Sequence, residues 1–240
     1  DESDNGNDRV IYTEKDENLF LVVRGSKSGK YIFVMSVNAV LAETRILSMQ
    51  DGKLESSALI PKELGSNHTI EHYNDTFYLY SDMFDPNYNV YTFSENQSAP
   101  EYWKPLYEKN PDSLLKGWRF FGNNVAIREN TLGNDRLRII NFENNESHFV
   151  DFDEEAYGLS FRNYKQSKHS NTVRFSYQSM LSPRTVMDYD TDKRKLTVID
   201  QSVIPSFDKK NYSIENITAE SLDGTKIPIS IIYNNNFGPN

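Results

Sequence analysis

His68-Thr69-Ile70-Glu71-His72 matches the His-x-x-Glu-His string of zinc peptidases. That chemistry needs a helix, which sets residues i and i+4 on one face about 6 Å apart. Here the string runs through Asn74-Asp75 into Phe77-Tyr78-Leu79-Tyr80 and reads as the first arm of a hairpin. Four residues along a strand span about 13 Å, too far for one metal to hold both rings. No metal site is expected, and a metallopeptidase built on His68 and His72 stays only as a reading that metal analysis would test. His148 and His169 sit near turns without a partner at ligand spacing. Gly25-Ser26-Lys27-Ser28-Gly29 approaches the nucleophile elbow Gly-x-Ser-x-Gly, but Lys27 holds the place of the serine. It also fails as a phosphate loop, because only three residues separate the glycines and Tyr31 follows Lys30. A hairpin turn explains it better. No catalytic and no cofactor-binding residue is expected in this chain.

Composition narrows the classes further. The 240 residues carry a net charge of -9, which disfavours nucleic acid as a partner, since phosphate backbones are bound by Lys and Arg. The same charge would attract cationic peptides. With 15 Tyr and 14 Phe the chain leans towards pleated, half-buried surfaces. There is no Cys, so disulfides, thiolate chemistry and Cys-based zinc sites are excluded. No run approaches the ~18 apolar residues that would cross a bilayer, so no membrane partner is expected. The polar opening Asp1-Glu2-Ser3-Asp4-Asn5-Gly6 is no secretory signal, and without an initiator Met it reads as a start inside a longer polypeptide or after processing. A cytoplasmic location follows as the expectation. Asn67, Asn74, Asn96, Asn145, Asn211 and Asn216 head Asn-x-Ser/Thr sequons, which matter only in a secreted chain.

The elements are four short β-rich runs that recur: Tyr31 to Met35, Phe77 to Tyr80, Val125 to Arg128 and Val173 to Ser176. Each is preceded by a partner run (Leu19 to Val23, Thr69 to Tyr73, Leu115 to Phe120, Leu159 to Tyr164) and followed by another (Thr44 to Leu47, Asn89 to Phe93, Leu137 to Asn141, Thr185 to Tyr189). Outer runs appear at Ser57 to Ile60, His148 to Phe152 and Leu196 to Ile199. Asn, Asp and Gly between the runs tolerate the left-handed conformations of tight hairpins, as at Asn74-Asp75, Gly122-Asn123-Asn124 and Asp51-Gly52. No helix of three turns is expected. Four strands per unit at this spacing is a propeller-blade period; a β-sandwich is the alternative, as its strands are also closely spaced. The period fails after about Ile204. There the chain reads as a strand, the Asp223-Gly224 turn and a strand carrying Pro228.

Val203-Ile204-Pro205-Ser206-Phe207-Asp208 through Tyr212, followed by Asp223-Gly224-Thr225-Lys226-Ile227-Pro228-Ile229-Ser230, resembles the propeller-to-hydrolase junction of the prolyl oligopeptidase family. Arg9 to Asp16, Phe152 to Tyr157 and Arg174 to Pro183 together resemble the oligopeptidase B branch. The resemblance implies an all-β chain: about four four-stranded blades of a seven-bladed β-propeller over residues 1–204, an interdomain linker over 205–212, and the first strands of an α/β-hydrolase domain over 213–240. It implies a Ser-His-Asp triad downstream of Asn240, so this chain would be inactive alone. The α/β-hydrolase domain of the same polypeptide would be its partner, and short peptides cut after Arg or Lys its substrates. Pro205, Phe207 and Tyr212 would form the linker across which the domains open. The alternative is a stand-alone propeller-like binding module without enzymatic activity.

Two clusters of acids, Asp151-Asp153-Glu154-Glu155 and Asp188-Asp190-Asp192, read as solvated loops at blade edges, or as interdomain ion pairs in which Glu154 and Glu155 take part. Trp103 and Trp118 read as packing residues. Blades stabilise one another by stacking, so a partial propeller is expected to be marginal, to aggregate, or to associate through its open faces.

Overall fold

The computed structural model describes residues 10–49, 56–162 and 170–238. The Asp51-Gly52 turn, His169 and the end of the Leu159 to Tyr164 run lie outside them. Two compact units divide the chain, residues 1–109 and 110–240.

The first unit holds two four-stranded antiparallel meanders. One is β1 (Phe20–Gly25), β2 (Tyr31–Val37), β3 (Ala42–Ser48) and β4 (Ser57–Ile60); the other is β5 (His68–Tyr73), β6 (Thr76–Ser81), β7 (Asn89–Ser94) and β8 (Lys104–Pro105). The second unit holds two more. They are β9 (Ser113–Phe121), β10 (Asn124–Thr131), β11 (Asn134–Asn141) and β12 (Ser147–Phe149), then β13 (Tyr157–Ser160), β14 (Thr172–Ser179), β15 (Thr185–Asp190) and β16 (Lys195–Gln201). A two-stranded hairpin, β17 (Tyr212–Glu220) and β18 (Lys226–Asn234), ends the unit. The only helices among the described residues are three short 3₁₀ turns. None is long and apolar enough to cross a membrane.

The repeat expected from the sequence is therefore present: the second strand of each sheet begins at residue 31, 76, 124 or 172. The Gly25 to Lys30 stretch is the turn between β1 and β2, and His68 to His72 lies on β5. Two outer strands are short, and β12 stops before the end of its expected run. Pairing of β12 with β11 stops at Phe149, where the acidic Asp151 to Glu155 loop leaves the sheet. The outer strand β8 is only two residues and ends on Pro105, which suits the edge of a sheet.

Period-2 alternation gives each sheet an apolar face, and paired sheets bury these faces together. In the first unit Phe33, Ile70, Phe77 and Leu79 are fully buried in one cluster, with Phe93 stacked on both Phe77 and Trp103. In the second unit Phe121, Leu137, Ile139, Val173 and Phe175 form the equivalent cluster. Trp103 is thus a core residue, as expected; Trp118 packs edge-on against Phe120. The turn at Gly122 has φ of 44°, and a Cβ there would lie 2.9 Å from the Ser170 carbonyl oxygen. Only glycine lets the β9–β10 turn approach the turn before β14 so closely.

Candidate functional site

Polar side chains stitch neighbouring sheets together, and their placement follows from strand register. In the second unit β9 carries a bulge opposite Arg128 and Glu129, made by the extra residue Lys116 beside Gly117 at φ of 132°. Such a bulge re-aims a side chain. Here it sends Lys116 Nζ to within 3.2 Å of Asp135 Oδ1. Asp135 is 4% exposed and also accepts from Asn130 Nδ2 at 2.7 Å and from the Leu159 amide at 2.9 Å, with the Arg128 guanidinium 3.5 Å away. Leu159 belongs to β13, so one buried carboxylate on β11 joins two sheets. Burial alone would raise its pKa. The donors from Leu159, Asn130 and Lys116 outweigh that and hold it below the usual aspartate value.

Sheets one and two are joined in a similar way. Glu71 pairs with Arg24 at 3.0 Å and accepts from the Lys27 amide at 2.8 Å. His72 Nδ1 lies 2.7 Å from Ser28 Oγ and its Nε2 2.9 Å from Glu95. His68 Nε2 lies 2.9 Å from Thr44 Oγ1. Both rings are buried, and burial lowers both pKa values, that of His68 to about 4. These histidines serve the packing between β-sheets, each bound by a different set of neighbours.

The segment after β16 is where the repeat ends. Ile204-Pro205-Ser206-Phe207 makes a turn closed by the Phe207 amide on the Ile204 carbonyl at 3.4 Å, with Ser206 at φ of 63°. This is a type II pattern, in which proline suits the second place. The rings of Phe207 and Tyr212 stack at 5.4 Å, and the Asp208 side chain accepts from the Lys210 amide at 3.1 Å. The three residues expected in a linker, Pro205, Phe207 and Tyr212, thus share one compact stretch. Lys209 in the same stretch comes within 3.8 Å of Glu154.

The following hairpin has two unlike faces. Asn216, Pro228 and Ser230 lie on one: Asn216 donates to Asn134 Oδ1 and to the Glu155 carbonyl, both at 3.0 Å, and accepts from Ser230 Oγ at 2.7 Å. A Cβ on Gly133 would meet Pro228 Cγ at 3.3 Å, so the β10–β11 turn fits closely under the proline. The other face carries Ile217 paired with Ile229, and Ala219 paired with Ile227. Ile217, Ile227 and Ile229 are 44%, 46% and 38% exposed.

The acidic loop has a local function that its sequence did not reveal. Glu154 accepts from the hydroxyls of both Ser179 and Ser182, anchoring the β14–β15 turn. Glu154 thus serves both this turn and Lys209, while Glu155 is exposed and offers Asn216 its backbone oxygen. Asp188 is likewise held, by Arg174 Nε and Nη2 at 2.7 Å each. A cavity of about 410 Å³ beside this loop is lined by Asp151, Asp153, Glu154 and Lys209. A second, of about 530 Å³, opens along β13. Among the described residues no group of three His, Asp or Glu is arranged to hold a metal ion.

Residues 2–202 match the family described as prolyl oligopeptidase, N-terminal beta-propeller domain. The chain belongs to that family. Dipeptidyl aminopeptidase BI of Pseudoxanthomonas mexicana is 23% identical over 94% of this chain and 31% of its own length. Protease 2 of Moraxella lacunata is 23% identical over 96% of this chain and 33% of its own. The chain thus spans about a third of the length of the curated relatives it matches. Oligopeptidase B from Leishmania major superposes with a TM-score of 0.79 at 17% identity, over 97% of this chain and 34% of that one. Oligopeptidase B from Trypanosoma brucei superposes with a TM-score of 0.76 at 22% identity, over 94% and 33%. The four four-stranded sheets are propeller blades, and the β-sandwich alternative is set aside.

Proposed function

We propose that this chain is the non-catalytic, access-controlling part of an oligopeptidase B-like serine endopeptidase that cuts short peptides after Arg or Lys. In this reading residues 205–212 are the interdomain linker and residues 213–240 begin the α/β-hydrolase domain, which supplies the triad. The blades wall a chamber and admit peptides small enough to enter it when the domains part. The absence of Cys agrees with a cytosolic setting.

The observation that carries the reading is the end of the repeat. After Gln201, close to where the family match ends at residue 202, a two-stranded hairpin follows, docked by Asn216 on the blade end while Ile217, Ile227 and Ile229 stay part-exposed on its other face. A two-stranded hairpin is marginal in water without further strands or a covering layer. An apolar face of this kind fits the first strands of a larger sheet better than the cap of a binding module.

The linker is the element to perturb. Pro205→Gly removes the ring that fixes the turn at residue 204–207 and loosens the stretch held by Lys209 and the Phe207–Tyr212 stack. In the polypeptide extended to the length of the relatives, turnover of a short basic peptide is expected to change about threefold or more. The unfolding free energy of the blades should change by less than ~1 kcal/mol, since the position is exposed. Steady-state kinetics beside a urea titration gives both numbers. Parallel losses in rate and stability would argue against a hinge.

A further inference from the structure

The cavity of about 530 Å³ along β13 has an unusual lining for so acidic a protein. The chain carries 35 Asp and Glu against 26 Lys and Arg, yet no carboxylate lines this cavity, while Arg162 and Arg184 both do. The other described arginines are engaged. Arg24, Arg45, Arg128, Arg138, Arg174 and Arg194 are in ion pairs, Arg136 lies over the Phe149 ring, and Arg119 reaches the Arg162 carbonyl oxygen. Within the described residues the guanidinium groups of Arg162 and Arg184 have no hydrogen-bond or ion-pair partner. Two arginines unengaged among the described residues therefore line the same cavity.

Register explains the space between them. Gly158 pairs with Gln178 and Ser160 with Ser176, so these four share one face, opposite the Leu159 and Tyr177 side chains that enter the core. Gly158 and the two serines leave that face low, and a Cβ on Gly158 would approach nothing closer than 4.0 Å. Gln178 adds an amide at the wall. Ser230 of the hairpin closes one side, which puts the cavity where the blade meets the segment that follows it.

We propose that Arg162 and Arg184 form an anion site that takes a carboxylate of a bound peptide, with Gln178 as an accessory donor. A guanidinium is a planar fork that matches a carboxylate with two parallel hydrogen bonds, and it stays charged at every physiological pH. The carboxylate can be a free C-terminus or an Asp or Glu side chain. The site would then orient short peptides by an end or a side chain remote from the bond that is cut. The identification of the ligand as a peptide rests on the function proposed above.

The test uses the polypeptide extended to the length of the relatives and three tetrapeptides of Gly and Ala, which lack Arg and Lys. One has a free C-terminal acid, one a C-terminal amide, and one an amide with a single internal Glu. Calorimetric binding of the free acid at least tenfold tighter than the amide is expected, and Arg162→Gln and Arg184→Gln should each weaken it about tenfold. Equally tight binding of the Glu peptide would show that the site reads carboxylates regardless of source; weak binding of it would restrict the site to C-termini. Equal affinity for acid and amide, or no effect of the double variant, would overturn the proposal; that includes the case in which another part of the longer polypeptide covers both arginines. Hydrolysis of a basic reporter peptide by the same preparations separates the two readings. Carboxylate binding without hydrolysis keeps the site and removes the peptidase assignment; hydrolysis without carboxylate binding does the reverse.

Discussion

Asp135→Ala is expected to lower the stability of the second unit by about 3–5 kcal/mol, the cost of breaking a buried ionic cluster from one side. The substitution strands the Lys116 ammonium and the Arg128 guanidinium beside each other without their shared counter-charge. It also leaves the Leu159 amide without its acceptor, a further uncompensated buried donor. Because that amide belongs to β13, the loss should appear first as separation of the β13–β16 blade from its neighbour. Hydrogen exchange at residues 157–160 should accelerate about a hundredfold or more, while β2 and β6 in the other unit keep their protection. Asp135→Asn keeps the shape and the acceptor for Leu159 but not the charge, and should fall between the two. Uniform acceleration in both units would mean that Asp135 contributes only to general stability and does not join these blades.

Acid is expected to weaken the first unit before it weakens any carboxylate, through His68. Its folded pKa is lowered to about 4 by burial, against an ordinary value of 6.5. Above pH 6.5 the ring is neutral in both states and the contribution is fully present. Below that the unfolded chain takes up a proton that the folded ring refuses, so stability falls with pH until the folded ring also protonates near pH 4. The difference amounts to about 3 kcal/mol across this window. His72, in the same unit, is shifted in the same direction, also mainly by burial, and adds to it. Glu14 is lowered to about 2 by the hydroxyl of Ser36 and neighbouring donors, so its contribution is lost only below pH 4.5, outside most of the histidine window. Trp103, in the core of this unit, offers a fluorescence signal for urea titrations at pH 7, 6, 5 and 4.5. His68→Gln should flatten the profile between pH 6.5 and 4. An unchanged slope would mean that the ring is solvated.

The blades could be read from the sequence because each strand is short and bounded by Asn, Asp or Gly. Those residues mark the turns whichever strand they join, and the runs between them recur at a nearly constant distance. The two-stranded hairpin that follows the blades was legible for the same reason, as a missed beat followed by Asp223-Gly224 and Pro228. What joins one blade to the next was not legible. Asp135, Lys116 and Leu159 meet only because a bulge at Gly117 shifts register by one residue, and no local pattern announces which charge such a bulge will aim at. Glu154 illustrates the converse. Its acidic neighbours pointed to a solvated or interdomain charge and gave no sign of the two serine hydroxyls, 25 and 28 positions later, that donate to its carboxylate. The pair Arg162 and Arg184, unengaged among the described residues, was equally hidden, since lacking a partner is a property of the surroundings.

The central claim is that these blades are one part of a peptidase whose chemistry lies in the segment begun by the hairpin. Its most direct test is hydrolysis of a short peptide reporter with Arg before the scissile bond, by the 240-residue chain and by the polypeptide extended to the length of the relatives. The claim predicts turnover by the longer polypeptide, blocked by a serine-directed reagent, and none by the chain alone. No turnover by the longer polypeptide, or turnover that such a reagent leaves untouched, would contradict it.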